Sequence, residues 1–275
     1  MEIYQGIILG ILQGLTEFLP VSSSGHLVLG QIYFKITEAG LLFDVSVHMG
    51  TLGAILVVYF SDIKQIFISV FQFLAKVLNR EPAAYLVKTD ENLKLAGFIL
   101  IGSVPTALIG LVLKKFEHVL FSSAILVGCM LILTGTILWA SRRYYGNEKT
   151  GAPFDVKRAV FIGIVQGLAV IPGISRSGST IAAAMFAGLD RQTAARFSFL
   201  LSVPAILGAQ VLTMKEAFDA GLAIDAATIY GTFFSFMVGL VALKLLLKLV
   251  HTGRFHLFAP YCWLVGALVI VSKII

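Results

Sequence analysis

The stretch Val119–Ala140 contains no charged side chain, and Leu93–Leu113 and Thr228–Val250 are nearly as apolar. Leu41–Phe60 and His256–Ile275 follow the same pattern less cleanly. A helix needs about 20 residues, at about 1.5 Å rise each, to cross a hydrocarbon core. Runs of this kind make lipid the expected solvent, where backbone polar groups must be satisfied internally. Composition agrees: 58% of residues are hydrophobic and 13% charged, against about 25% charged in soluble domains. The expected fold is all-α, a single integral membrane domain over 1–275. Phe197–Leu212 reads as a marginal span. Ile63–Leu78 carries Lys64, Gln65, Gln72 and Lys76, so it reads as an interfacial helix or the end of a tilted one. Arg80–Lys94, the most polar stretch, reads as an exposed loop. Ser103-Val-Pro105 and Ser202-Val-Pro204 lie within spans and read as packing kinks.

The net charge is +6, and Arg142, Arg143, Lys149, Lys157 and Arg158 cluster between two apolar segments. Basic loops stay cytoplasmic, so residues 141–158 are expected inside. No basic stripe interleaved with aromatics supports a nucleic-acid partner. Cys129 and Cys262 each sit in an apolar run, which gives neither a disulfide framework nor metal spacing. Glu2 and the lack of a basic leader argue that Met1–Leu19 is mature structure rather than a signal peptide.

Two apolar runs are too short to cross. Ile3–Leu19 stops at Pro20 and Ala159–Ile171 stops at Pro172. Each is followed by a Ser/Gly loop and a second short run, Leu27–Phe34 and Ile181–Leu189. Short helix, polar loop, short helix is the pattern of a re-entrant hairpin, tolerated at depth only inside protein or beside a water-filled cavity. The two hairpins, 3–34 and 159–189, also match each other. Gly10-Ile-Leu-Gln-Gly-Leu15 and Gly163-Ile-Val-Gln-Gly-Leu168 agree at five of six positions at an offset of 153. The same offset aligns Ser22 with Ser175, Ser24 with Ser177 and Gly25 with Gly178, with the proline displaced by one residue. An internal duplication, 1–140 and 159–275, is expected, inverted if an odd number of spans separates the copies. Its backbone is expected to be symmetric and its chemistry not, because Ser23 aligns with Arg176 and His26 with Ser179. Gly6, Gly10 and Gly14, and then Gly163 and Gly167, have the spacing that lets helices approach closely in lipid.

The chemistry sits in those loops. Gln13, Thr16 and Glu17 share a helix face, and an acidic residue at depth marks a functional position. Pro20-Val-Ser-Ser-Ser-Gly-His26 supplies three hydroxyls and an imidazole able to act as base, acid or nucleophile. Pro172-Gly-Ile-Ser-Arg-Ser-Gly-Ser-Thr180 surrounds Arg176, whose planar fork suits phosphate, with Ser175, Ser177, Ser179 and Thr180. Many clustered donors favour a phosphate-bearing ligand over a carboxylate. Candidate ligand-binding residues are Gln13, Ser22, Ser24, Ser175, Ser177 and Thr180. Asp44 and His48 fall one turn apart and read as residues behind the site or facing the lumen, since no third residue has the spacing to complete a metal site.

Gln13-Gly-Leu-Thr-Glu-Phe-Leu-Pro-Val-Ser-Ser-Ser-Gly-His26 and Pro172–Thr180 closely resemble the two signature motifs of the undecaprenyl-diphosphate phosphatase family linked to bacitracin resistance. Ala195–Pro204 looks familial too, and the resemblance extends over essentially the whole chain. It implies removal of the terminal phosphate of undecaprenyl diphosphate, which regenerates the carrier lipid for peptidoglycan. It also implies a divalent cation, Mg²⁺ or Ca²⁺, and inverted repeats with about six spans and two re-entrant hairpins. The implied location is the bacterial inner membrane with the site opening outward. Bacitracin would act on the shared substrate rather than on the protein, and a homodimer is left open. By motif, Glu17, Ser23, His26 and Arg176 match the family's key residues. Gln13 stands where many members have Glu, which weakens its claim as a metal ligand relative to Glu17. The other class of membrane lipid phosphatase places a His after its Ser-Arg, and Ser175-Arg176 has none. Either Ser23 or His26 is the expected nucleophile, with serine attack and His26 as base preferred. A polyprenyl-phosphate flippase is the competing expectation, since inverted repeats with midplane sites are also a transporter architecture.

Overall fold

The computed structural model describes residues 1–36, 40–79, 82–116, 119–120, 123–144, 152–219 and 224–274. They form helices and connecting turns, with no strand among the described residues. Lys149 of the basic cluster lies outside them. In chain order the helices are α1 (Ile3–Phe18), α2 (Ser23–Tyr33), α3 (Gly40–Val58), α4 (Phe60–Leu78), α5 (Ala83–Thr89) and α6 (Glu91–Lys114). Then come α7 (Ala124–Ala140), α8 (Val156–Leu168), α9 (Arg176–Phe186), α10 (Arg191–Asp219), α11 (Ala226–His251) and α12 (Ala259–Ile274).

Among the described residues five segments are long and apolar enough to cross a membrane: Glu91–Lys114, Ala124–Tyr144, Arg191–Glu216, Ala226–His251 and Arg254–Ser272. A sixth is added if Leu42–Val58 and Phe60–Leu78, bent by 76° at Tyr59, count as one. The protein is thus a multi-pass helical membrane protein. Two expectations need correction. Phe197–Leu212 is not marginal, because the helix around it runs 26 residues from Arg191 to Glu216. Arg80–Lys94 is not simply a loop. Asp90 accepts hydrogen bonds from the amides of Asn92 and Leu93, which caps α6 and starts it inside the polar stretch; α5 precedes it. Arg80 and Glu81 lie outside the described residues. Aspartate or serine caps recur at Ser123, Asp155, Ser175 and Asp225. Pro105 and Pro204 sit within α6 and α10 without interrupting them.

The short helices are placed by their glycines. Gly6 lies against Ala227, Gly10 against Gly231 and Gly14 against Ser235, so α1 runs alongside α11 in the same direction. A β-carbon on Gly10 would collide with the Gly231 carbonyl. In the same way α8 runs along α6, with Gly163 against Gly102 and Gly167 against Ile109. Thr106 Oγ1 donates to the Gly163 carbonyl over 2.8 Å, and Ser235 Oγ to the Val47 carbonyl over 2.7 Å. Small residues and cross-helix hydroxyls are the usual means of joining helices where no hydrophobic gradient exists.

The two short pairs enter from opposite ends. α1 starts where the Met1 amine lies 3.8 Å from the Asp225 carboxylate, at the head of α11. α8 starts at the other end, where Arg158 bonds the Ala187 carbonyl and Arg191 bonds the Tyr144 and His251 carbonyls. Arg142, Arg143, Lys157 and Arg254 belong to this second end. At 16 and 13 residues, α1 and α8 reach about 24 and 20 Å, short of a core of about 30 Å. Their tips meet inside the molecule: Ser177 Oγ donates to the Phe18 carbonyl over 2.9 Å, and the Gly173 amide to Ser22 Oγ over 3.1 Å. Phe18, Phe197, Phe199 and Ile181 pack the surrounding core.

Candidate active site

Glu17 is the last polar residue of α1 and points at both tips. Its Oε2 accepts from Gln13 Nε2 at 3.0 Å, one turn back, and from Ser23 Oγ at 2.6 Å. Its Oε1 accepts from Arg176 Nη2. His48, on α3, brings Nε2 to 3.7 Å from Oε2. Glu17 and Gln13 are buried, while Ser23 is partly open. Ser23 and Arg176 begin α2 and α9, so two helix N-termini face the same carboxylate, and each favours negative charge.

The structure therefore joins Glu17, Ser23 and Arg176, which the sequence had placed 159 residues apart at the extreme. Arg176 Nη1 is buried without a hydrogen-bond partner, as are Gln13 Oε1 and Ser179 Oγ. The first of these is a guanidinium donor of the residue that shares Glu17 with the partly open Ser23.

Other candidate residues serve the frame. Ser175 Oγ accepts from the Gly178 amide and caps α9, and its own amide bonds Thr134. Ser177 holds Phe18, Ser22 holds Gly173, and Thr180 bonds the Arg176 carbonyl and Ser198. Ser24 lies 3.4 Å from Ser22. These hydroxyls already have protein partners that fix the loops.

Two expectations are corrected here. Ser23 is not paired with His26. The Ser23 hydroxyl is directed to Glu17, while His26 Nδ1 lies 2.9 Å from the Ser22 carbonyl and Nε2 lies 2.8 Å from Tyr261 Oη. Nor is the backbone symmetric at the tips. Ser22, the residue before α2, has φ +68, whereas its mate Ser175 has φ −76. In the longer second loop the left-handed position falls on Gly173, at φ +95, where it costs nothing; on a serine it costs about 1–3 kcal/mol.

Tyr261 and the contact of His48 with Glu17 escaped the sequence reading. The signal for Tyr261 was a phenol inside an apolar span; for His48 it was an imidazole one turn beyond Asp44. Asp44 itself accepts from Gln31 Nε2 at 2.7 Å.

Among the described residues no group of three or more His, Cys, Asp or Glu could hold a metal ion. The oxygens on offer are Glu17 and the unpartnered Gln13 Oε1. Hard divalent cations take six or more oxygens, and Mg²⁺ commonly shares one or two protein ligands with substrate phosphates and water. The residues fit a cation that arrives with phosphate, and not a protein cage.

Residues 6–268 match the family described as bacitracin resistance protein BacA. The chain is 53% identical over 272 residues to an undecaprenyl-diphosphatase of Desulforapulum autotrophicum, covering 99% of both chains. It is 53% identical to one of Desulfosudis oleivorans and 41% identical to one of Korarchaeum cryptofilum, each over 97% of both chains. A full-length match of this strength, on a chain whose two motifs meet at one carboxylate, has one reading: the protein belongs to the bacitracin resistance protein BacA family.

Proposed function

We infer that the protein hydrolyses undecaprenyl diphosphate to undecaprenyl phosphate and inorganic phosphate. It thereby recycles the lipid carrier of cell-wall synthesis and confers bacitracin resistance, the antibiotic acting on the shared substrate. The observation that carries this reading is the meeting of the partly open Ser23 and of Arg176 on the two oxygens of Glu17, with Arg176 Nη1 unpartnered. Family membership and the names of the relatives support it. The flippase alternative is not favoured: the three groups form an asymmetric chemical site, which a symmetric transport gate does not require.

In the proposed mechanism Arg176 Nη1 takes an oxygen of the terminal phosphate while Nη2 stays on Glu17. The two helix N-termini share the charge that develops on the phosphoryl oxygens. Ser23 Oγ attacks the terminal phosphorus and Glu17 Oε2 receives its proton. The bridging P–O bond breaks, undecaprenyl phosphate leaves with the electron pair, and water hydrolyses the phosphoserine. A divalent cation bound with the diphosphate would be held by Gln13 Oε1 and Glu17 and would neutralise phosphate charge.

Two features of placement belong to the same proposal. The pairs α1–α2 and α8–α9 act as re-entrant hairpins of an inverted duplication. Their helices begin at the same offset of 153, have equal second members of 11 residues, and run in from opposite ends. The end bearing Arg142, Arg143, Lys157 and Arg158 faces the cytoplasm of a bacterial inner membrane. The site then opens to the outer side, along Gln31, Asp44 and His48.

The test supplies polyprenyl diphosphate to detergent-purified protein and measures phosphate release, in wild type and in Glu17→Ala checked for folding by its melting temperature, with and without a chelator. Release that needs Glu17 supports the hydrolase, and its loss on chelation supports the cation. Absence of release, with lipid translocation in liposomes, would overturn the reading in favour of a flippase.

A further inference from the structure

His26 is the loop residue that the mechanism above leaves without a task. Its Nδ1 faces the Ser22 carbonyl, which can only accept, so Nδ1 carries the hydrogen. In the neutral ring Nε2 then holds the lone pair, and Tyr261 donates its hydroxyl to it. The two rings are also stacked, with centroids 5.8 Å apart and planes 13° from parallel. Tyr261 lies near the start of α12, and the next residue, Cys262, directs Sγ to the Pro20 carbonyl at 3.4 Å. Adjacent residues of one spanning helix thus grip the first loop at Pro20 and at His26. The remainder of that face of α12 is apolar and open, with Leu264 and Leu268 exposed and Tyr261 itself 44% exposed. Among them only the Tyr261 hydroxyl turns inward.

We propose that Tyr261 is a positioning residue for His26. Its hydroxyl holds the Nε2 acceptor of the tautomer that the Ser22 carbonyl sets, and its ring fixes the imidazole plane. The proposal rests on the phosphatase reading and adds to it a part for His26, which lies three residues after Ser23 on α2. The bland alternative is that His26 merely satisfies a phenol that would otherwise meet lipid.

The variant Tyr261→Phe separates them, since it keeps the stacked ring and removes only the hydroxyl. Phosphate release is measured for wild type, Tyr261→Phe, His26→Ala and the double variant. Tyr261→Phe is expected to lower kcat about tenfold with KM little changed, and to cost nothing further in the His26→Ala background, as coupled neighbours do. A second readout needs no turnover: ring ¹⁵N resonances of histidine-labelled protein, which has five histidines. The His26 Nε2 signal is expected to move in Tyr261→Phe. Equal kinetic cost in both backgrounds, or an unchanged kcat with an unmoved His26 signal, would overturn the proposal. Absence of phosphate release from the wild type would overturn the phosphatase reading instead, and the ¹⁵N shift then decides the Tyr261–His26 contact by itself.

Discussion

Arg176 gives one terminal nitrogen to Glu17 and keeps the other buried and unpartnered. Removing either member of such a buried pair strands a charge and costs roughly 3–5 kcal/mol, so deletion confuses folding with chemistry. Arg176→Lys is the cleaner change. It keeps the charge but offers one point donor where the guanidinium offers two, one for the carboxylate and one for a phosphate oxygen. Its kcat for phosphate release is expected to fall roughly 100-fold or more, the scale seen when a transition-state donor is lost. Near-native turnover would remove Arg176 from the clamp. Glu17 and Arg176 stood out in the sequence because charged groups are expensive in an apolar setting, and Ser23 was singled out by the resemblance of its motif. Their hydrogen bonds were not. Motif order suggested Ser23 with His26, yet the fold turns the serine to Glu17 and gives His26 to Tyr261, 235 residues away.

Helix positions were read well where apolar length decided them, and poorly where a cap did. Asp90 shows why: one carboxylate accepting two amides starts a helix inside a stretch whose composition suggests a loop. Slight burial pushes its pKa up, but the Leu93 amide, the Ser69 hydroxyl and the Asn92 amide outweigh that and hold it low. Asp190 and Asp225 are held low in the same manner by Thr193 and Thr228, against the same opposing effect of burial. A carboxyl depressed in the folded state stabilises above its unfolded pKa, about 3.9. That stability is lost as pH falls through the lower folded value. Melting temperature in detergent should therefore drop below about pH 4. Replacing all three by Asn, which caps without titrating, should flatten that part of the curve; an unaltered acid limb would discount the caps. The glycine faces make a second prediction. Gly10→Ala drives a methyl into the Gly231 carbonyl and should destabilise by about 1–3 kcal/mol. Gly97→Ala meets nothing within 4 Å and should be neutral or stabilising by up to about 1 kcal/mol. Melting of the two variants side by side checks the contrast.

At the scale of the molecule, two pairs of short helices start from opposite ends and touch at their tips, and Arg142, Arg143, Lys157 and Arg158 lie at one of those ends. Cysteines placed at Lys157 and at Lys35, in a background lacking Cys129 and Cys262, should react from opposite faces of the cell membrane, Lys157→Cys from the cytoplasmic side. Labelling of both from one face would refute the crossing arrangement. The sequence by itself determined the solvent, most of the spans and the polar groups set within apolar runs, because hydropathy and the price of buried polarity act locally along the chain. Only the tertiary structure decided which group bonds which. It set Glu17 between Ser23 and Arg176, sent His26 to Tyr261, brought His48 to the carboxylate and put strain on Ser22. Those outcomes depend on how closely glycine faces let separate helices approach and on where two tips of unequal length meet, and neither is a property of any single segment.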